Sequence, residues 1–188
     1  PGLKTIEAHR LNPRINGVHY GDGHIRIASR QVTKAQKFGK VVAKGKAPDP
    51  ATADGVRTIV HEIVHGAGPV GGASRTAYSG VGALLEEVTT EKTARWFMRT
   101  KYGLNLPGSY QREIDLIHQA IKLSYNVGDA EANVLLEETA VTYKHRSHAV
   151  ANATEVVDAF VDSAPSGPGR PLLAQFLRAL NTRRGRAP

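Results

Sequence analysis

Apolar and polar positions divide the chain into one short alternating stretch followed by a long series of helical periods. Gly17-Val18-His19-Tyr20 and His24-Ile25-Arg26-Ile27-Ala28 flank Gly21-Asp22-Gly23. In the second arm, Ile25 and Ile27 alternate with His24 and Arg26, the period of a half-buried strand. Gly-Asp-Gly supplies the positive φ that a tight turn takes, so the pair predicts a β-hairpin. Residues 1–16 hold few apolar side chains and a turn signal at Asn12-Pro13. Residues 31–48 read as a basic, mobile loop with a short strand at Val41-Val42.

From Asp49 the period changes to that of helices. Asp49-Pro50 is an Asx cap followed by proline at the first helical position. It predicts a helix from about Pro50 to His65. Val56, Ile59, Val60, Ile63 and Val64 fall on one side, expected to be buried; Thr58, His61, Glu62 and His65 fall on the other. Gly66-Ala67-Gly68-Pro69 ends the helix. The stretch 66–82, rich in Gly, Ser and Ala, reads as a long loop that rims or covers whatever lies beside it. A second helix is expected over Ala83–Thr100. Further helices are expected within 110–124 (Ile114, Ile117, Ile121 and Leu123 at helical spacing) and within 129–148 from an Asp129 cap. Another should start at the Asn152/Glu155 capping box, and the last should span Leu172–Leu180. The pattern predicts an α+β, predominantly helical fold. A small N-terminal hairpin or sheet lies over two helices in a core of residues 1–105. A helical region, 106–181, packs on that core, and a basic tail, 182–188, is expected to be disordered.

Candidate chemistry sits on the first of these helices. Arg57-Thr58-Ile59-Val60-His61-Glu62-Ile63-Val64-His65-Gly66 contains H-E-x-x-H. Positions i and i+4 of a helix lie about 40° apart on one face. His61 and His65 therefore point two imidazoles at one spot with Glu62 alongside, a pattern suited to a zinc ion and a water to be activated. Catalytic zinc takes three protein ligands and keeps an open position. The extended three-histidine motif is excluded, because Gly71 stands where its last histidine belongs. A carboxylate on the next helix is the alternative. Glu87 shares a face with Leu84, Val88, Glu91, Ala94 and Met98, a core-facing stripe on which a carboxylate needs a partner. Glu86, on the face of Thr89 and Thr93, is expected to face solvent. Glu87 as third ligand, with Glu91 one turn on to hold a ligand imidazole from behind, satisfies both constraints.

His61-Glu62-Ile63-Val64-His65 with Glu87-Val88-Thr89-Thr90-Glu91 resembles the gluzincin branch of the zincin metallopeptidases, in particular small bacterial and phage-encoded members. Val88 stands where their E-G-x-T-E motif has glycine. The resemblance covers roughly residues 17–100. It implies one Zn²⁺ held by His61, His65 and Glu87, with Glu62 as general base in peptide-bond hydrolysis. It also implies that the strand before the active-site helix, His24, Ile25, Arg26 and Ile27 here, is a sheet edge pairing with an extended peptide. An oxyanion donor is required as well. Tyr78, Tyr110, His118, Tyr143, His145 and His148 are the candidates.

Composition adds partners and exclusions. Cysteine is absent, so disulfides and thiolate ligands are excluded. The formal charge is +8. Residues 1–50 hold ten Lys/Arg against three Asp/Glu, and residues 168–188 hold five Arg and no acid. Such basic ends suit nucleic acid or an acidic partner. They leave a second reading open, a non-catalytic binding or structural module on the same scaffold, such as a phage virion or multidomain component. No apolar run reaches membrane length and the start shows no secretory pattern. The expectation is a soluble, cytoplasmic or virion-associated chain with no membrane partner. Pro1 and the single Met98 suggest a processed product or an excised part of a longer protein.

Overall fold

A computed structural model describes residues 4–20, 24–68, 79–146 and 150–184; the side chains of His19 and of residues 182–184 are not among those described. Among the described residues three strands, β1 (Thr5–His9), β2 (Gly17–Tyr20) and β3 (His24–Ala28), precede seven helices. These are α1 (Ser29–Val42), α2 (Pro50–Ala67), α3 (Gly80–Tyr102), α4 (Gln111–Tyr125), α5 (Asp129–Lys144), α6 (Ala153–Ser163) and α7 (Gly169–Arg184). The fold is α+β and predominantly helical.

The expected hairpin is present: β2 and β3 pair antiparallel, with Gly17 opposite Ile27. Ile25 and Ile27 are buried and Arg26 is exposed, as the alternation predicts. Its turn, Gly21-Asp22-Gly23, lies outside the described residues. The sheet has a third member that the sequence reading lacked. β1 pairs parallel with β3 and gives the order β1-β3-β2. β3 is therefore the central strand, bonded on both sides. The role of open substrate edge assigned to His24, Ile25, Arg26 and Ile27 is corrected on that ground.

The segment expected as a loop with a short strand is instead α1. Gln31 and Phe38 are buried, and Gly55 of α2 lets the two helices approach closely. A Cβ on Gly55 would lie 2.5 Å from the Gln31 carbonyl oxygen. Burial against α2 thus fixes a helix that its basic composition disguised. Phe38 joins Ala53, Met98 and Leu106 in a small cluster, with Val56 packed on it.

The caps follow the sequence closely. Asp49 accepts from the Thr52 N–H at 2.9 Å and starts α2. Asn152 accepts from the Glu155 N–H at 3.0 Å, and Glu155 in turn accepts from the Ala151 N–H at 2.7 Å. Gly128, not Asp129, caps α5; Asp129 pairs with Lys122 at 2.7 Å. Of the apolar residues at helical spacing in α4, Ile114, Ile117 and Ile121 are buried and Leu123 is 72% exposed. Helix α7 begins before Leu172 and continues to Arg184, so the first part of the expected disordered tail is helical; residues 185–188 lie outside the described ones.

Helix α3 is the centre of the molecule. Val81, Leu84, Leu85 and Val88 enter the main core with Ile117, Leu136, Val157, Phe160, Leu173 and Leu177 from α4–α7. The predicted helical region thus shares its core with α3. On its other side α3 meets α2. No described helix is long and apolar enough to cross a membrane.

Candidate metal centre

Helix α2 presents to α3 its polar stripe, not its apolar one. Arg57, Thr58, His61, Glu62 and His65 are all buried, whereas Val56, Ile59, Val60, Ile63 and Val64 are only half-buried. The expected burial of α2 is thus inverted. The reason lies on α3, which meets that stripe with three carboxylates. Because α3 is enclosed on every side, Glu86 is only 1% exposed and the expectation that it faces solvent is corrected.

The two imidazoles are held from behind. Nδ1 of His61 is 3.0 Å from Glu91 Oε2, and Nδ1 of His65 is 3.3 Å from Glu86 Oε1. Ionised carboxylates only accept, so both Nδ1 atoms donate, and each imidazole in its neutral form then carries its lone pair on Nε2. Thr90 Oγ1 also contacts His65 Nδ1, at 3.2 Å. In front, the two Nε2 atoms stand 3.1 Å apart. Glu87 Oε2 completes a triangle, 3.3 Å from His65 Nε2 and 3.4 Å from His61 Nε2. Tetrahedral coordination with bonds of about 2.05 Å has donor–donor edges of about 3.3 Å. The donors His61, His65 and Glu87 therefore have the chemistry and the spacing to hold a metal ion.

Each rear carboxylate is itself paired. Arg57 Nη1 donates to both oxygens of Glu91, at 2.8 and 2.6 Å, and Arg95 Nε donates to Glu91 Oε1 at 2.9 Å. Glu86 accepts from Tyr143 Oη at 3.1 Å and from Lys144 Nζ. Neither Arg57 nor Lys144 was a sequence candidate. Arg57 could have been, since it sits one turn before His61 on the same face; Lys144 arrives from α5, 58 residues from its partner, where no periodicity links it to the site.

Electrostatics follow from this pairing. Burial opposes ionisation of Glu87, but hydrogen bonds and charge from His61 and His65 outweigh it and hold the carboxyl far below its ordinary range. Burial likewise opposes Glu86, yet Lys144 and His65 hold it at about 2. For His61 burial disfavours the imidazolium, but hydrogen bonds to Glu87 and Glu91 prevail and raise it to about 9. Glu62 differs: its burial raises it, and the charges of His61 and His65 only partly offset this.

Glu62 faces a cleft of about 300 Å³ lined by Arg14, Asn16, Gly17, Thr58, His61 and Tyr110, among others. Gly17 of β2 is there because nothing larger fits. A Cβ would lie 2.6 Å from Glu62 Cγ and Oε1. The loop leading into β2 is tied by Arg30, which donates to the Pro13 and Ile15 carbonyls at 2.8 and 2.7 Å. Across the cleft, Tyr110 stacks on His61 with centroids 5.9 Å apart and planes 6° apart. Its φ of 62° is left-handed, a strained conformation for tyrosine. Arg95 fixes this turn by donating from Nη2 to the Ser109 carbonyl at 3.0 Å. Burial, and then the charge of Glu87, raise the Tyr110 hydroxyl, so it stays a donor at neutral pH. Thr58 Oγ1 is buried with no hydrogen-bond partner among the described residues.

The remaining oxyanion candidates are sorted by their contacts. Tyr143 is fully buried and bonded to Glu86 behind the site. His118 is bonded to the Asp129 carbonyl at 3.0 Å, and His145 caps α5. Tyr78 and His148, with most of the expected loop 66–82, lie outside the described residues. Of the described candidates, Tyr110 is the one on the cleft. No known family model, curated protein or solved structure matches the chain, and the reading of this centre therefore rests on its own residues.

Proposed function

We propose that the chain is a zinc-dependent metallopeptidase of the gluzincin kind. The observation that carries this reading is the triangle of two Nε2 atoms and one carboxylate oxygen, 3.1–3.4 Å on a side, with Glu62 beside it at a cleft. Two imidazoles and one carboxylate are a donor set of catalytic zinc sites. Bound there, zinc would polarise a carbonyl as a Lewis acid and lower the pKa of a water. Glu62, raised above an ordinary carboxylate by burial, is placed to accept a proton from the attacking water and to pass it to the departing amine nitrogen. Tyr110 donates its hydroxyl proton in a hydrogen bond to the carbonyl oxygen as charge develops there. Glu91 and Glu86 keep the imidazoles in the tautomer that turns Nε2 forward. The substrate is a peptide or protein whose chain crosses the cleft between Gly17 and Tyr110.

Wild-type protein should bind one zinc per chain and cleave members of a mixed peptide library. Glu62→Gln should keep the zinc and lose cleavage by about 10²–10⁴-fold, the contribution of a positioned base. Equal cleavage by wild type and Glu62→Gln would rule the reading out. Gly17→Ala tests the same geometry more gently. Its Cβ must push Glu62 aside, so turnover should fall about 100-fold with zinc content unchanged; turnover within twofold of wild type would show that the base does not depend on this approach.

One observation favours a second reading. Helix α1 carries Arg30, Lys34, Lys37 and Lys40 and no acid. A non-catalytic module using such a basic face to hold nucleic acid or an acidic partner would show tight binding that weakens steeply with salt, and no cleavage of any peptide.

A further inference from the structure

We propose that Lys144 is a positioning residue for the metal centre, acting through Glu86 on His65. The inference rests on the metal-binding reading above and extends it to α5, a helix that supplies no ligand. Glu86 Oε1 is the meeting point: it accepts from Lys144 Nζ and from His65 Nδ1, while Oε2 accepts from Tyr143. A carboxylate 1% exposed is not sustained by hydrogen bonds from neutral groups alone, and Lys144, itself 6% exposed, is its counter-charge. The lysine reaches this place because α2 ends at Gly68. A Cβ there would lie 2.9 Å from Lys144 Cδ and 3.1 Å from Nζ.

The arrangement mirrors the other histidine. Arg57 holds Glu91, which holds His61; Lys144 holds Glu86, which holds His65. A buried pair serving packing alone has no need to share an oxygen with a ligand imidazole. Shared as it is, the ammonium fixes the place of the Glu86 oxygen that accepts from His65 Nδ1. It thereby sets how steadily Nε2 of His65 faces His61 and Glu87. Without the ammonium the acceptor loses its counter-charge and the ring loses its fixed orientation.

Zinc affinity of the full chain, measured by competition with a chromophoric chelator at one pH, tests this. Near-UV circular dichroism monitors the fold. Lys144→Met should weaken zinc about 10–100-fold, the usual cost of losing a partner behind a ligand. Lys144→Arg, which keeps the charge, should recover most of the loss. Glu86→Gln should also weaken zinc, and Glu86→Gln/Lys144→Met should be no weaker than Glu86→Gln alone, because the lysine acts only through Glu86. An affinity for Lys144→Met within threefold of wild type overturns the proposal, as does a double variant that loses the product of the two single losses. If Lys144→Met does not fold, the uncharged double variant carries the test. Affinity equal to that of Glu86→Gln supports the proposal, and a further loss beyond Glu86→Gln, or wild-type affinity, overturns it. Wild type that binds no zinc overturns this proposal and the metal reading together; wild type with one zinc and an unaffected Lys144→Met overturns this proposal alone.

Discussion

Glu87→Ala is expected to leave the chain unable to retain zinc through dialysis, while Glu91→Gln retains it with an affinity reduced about 10–100-fold. The two carboxylates lie one turn apart on α3 but on opposite sides of the imidazoles. Glu87 Oε2 faces both Nε2 atoms, at 3.3 and 3.4 Å, whereas Glu91 and Glu86 meet the Nδ1 atoms. Removing Glu87 takes away one of three donors and the negative charge in front of the rings. Removing the Glu91 charge leaves all three donors and loosens one. The effect of Glu87→Ala should therefore exceed that of either rear carboxylate by a wide margin. Elemental analysis after dialysis, with chelator competition for the dissociation constants, measures both. One zinc per chain in Glu87→Ala would move the third ligand to another residue.

Zinc should also stabilise the fold more strongly at pH 8.5 than at pH 6. In the metal-free protein His61 titrates at about 9, above the 6.5 of an unperturbed imidazole. Its pairing with Glu87 and Glu91 contributes stability that is fully present below pH 6.5 and is lost as pH rises through 9. Glu86 works in the other direction. Held at about 2 against an ordinary 4.5, it contributes stability present above 4.5 and lost as pH falls through 2. Metal-free protein should therefore be most stable between about pH 4.5 and 6.5 as far as these groups decide it. Zinc must displace the His61 proton, so its apparent affinity should rise about tenfold per pH unit up to the His61 pKa. At a free concentration 1,000 times the dissociation constant, the ion adds about 4 kcal/mol. For a chain of this size that is about 8–16 °C in Tm. Thermal scans with zinc and with excess chelator at the two pH values give the comparison. A larger zinc increment at pH 6 would contradict the protonation scheme.

How far these features were legible depends on whether their causes are local. The Asp49 and Asn152 caps, the β2–β3 hairpin and the i, i+4 histidines are determined within a few residues, and they lie where the spacing places them. β1 was hidden because it is largely exposed and owes its existence to β3, 19 residues on. α1 was hidden because its lysines obscure the buried positions Gln31 and Phe38, and because its main partner, Gly55, is on another helix. The error over Glu86 had a different origin. Helical phase assigns one face to the core and one to water, but α3 has no water-facing side along the turns that carry the carboxylates. On α2 the same assumption inverted the faces, because the buried partner of the polar stripe is itself polar. Tyr110 was one of six equal candidates until the fold brought the turn before α4 against His61.

That enclosure of α3 has an evolutionary consequence. Leu84, Leu85 and Val88 pack the main core while Glu86, Glu87 and Glu91, on the same two turns, face the histidines and their supports. Inserting or deleting one residue within this segment would rotate everything beyond it by about 100°. Core side chains and carboxylates would leave their places together. Lineages of this chain should therefore change length freely at the termini, but keep the spacing from Leu84 to Glu91 invariant even where activity has been lost, because the packing would still demand it.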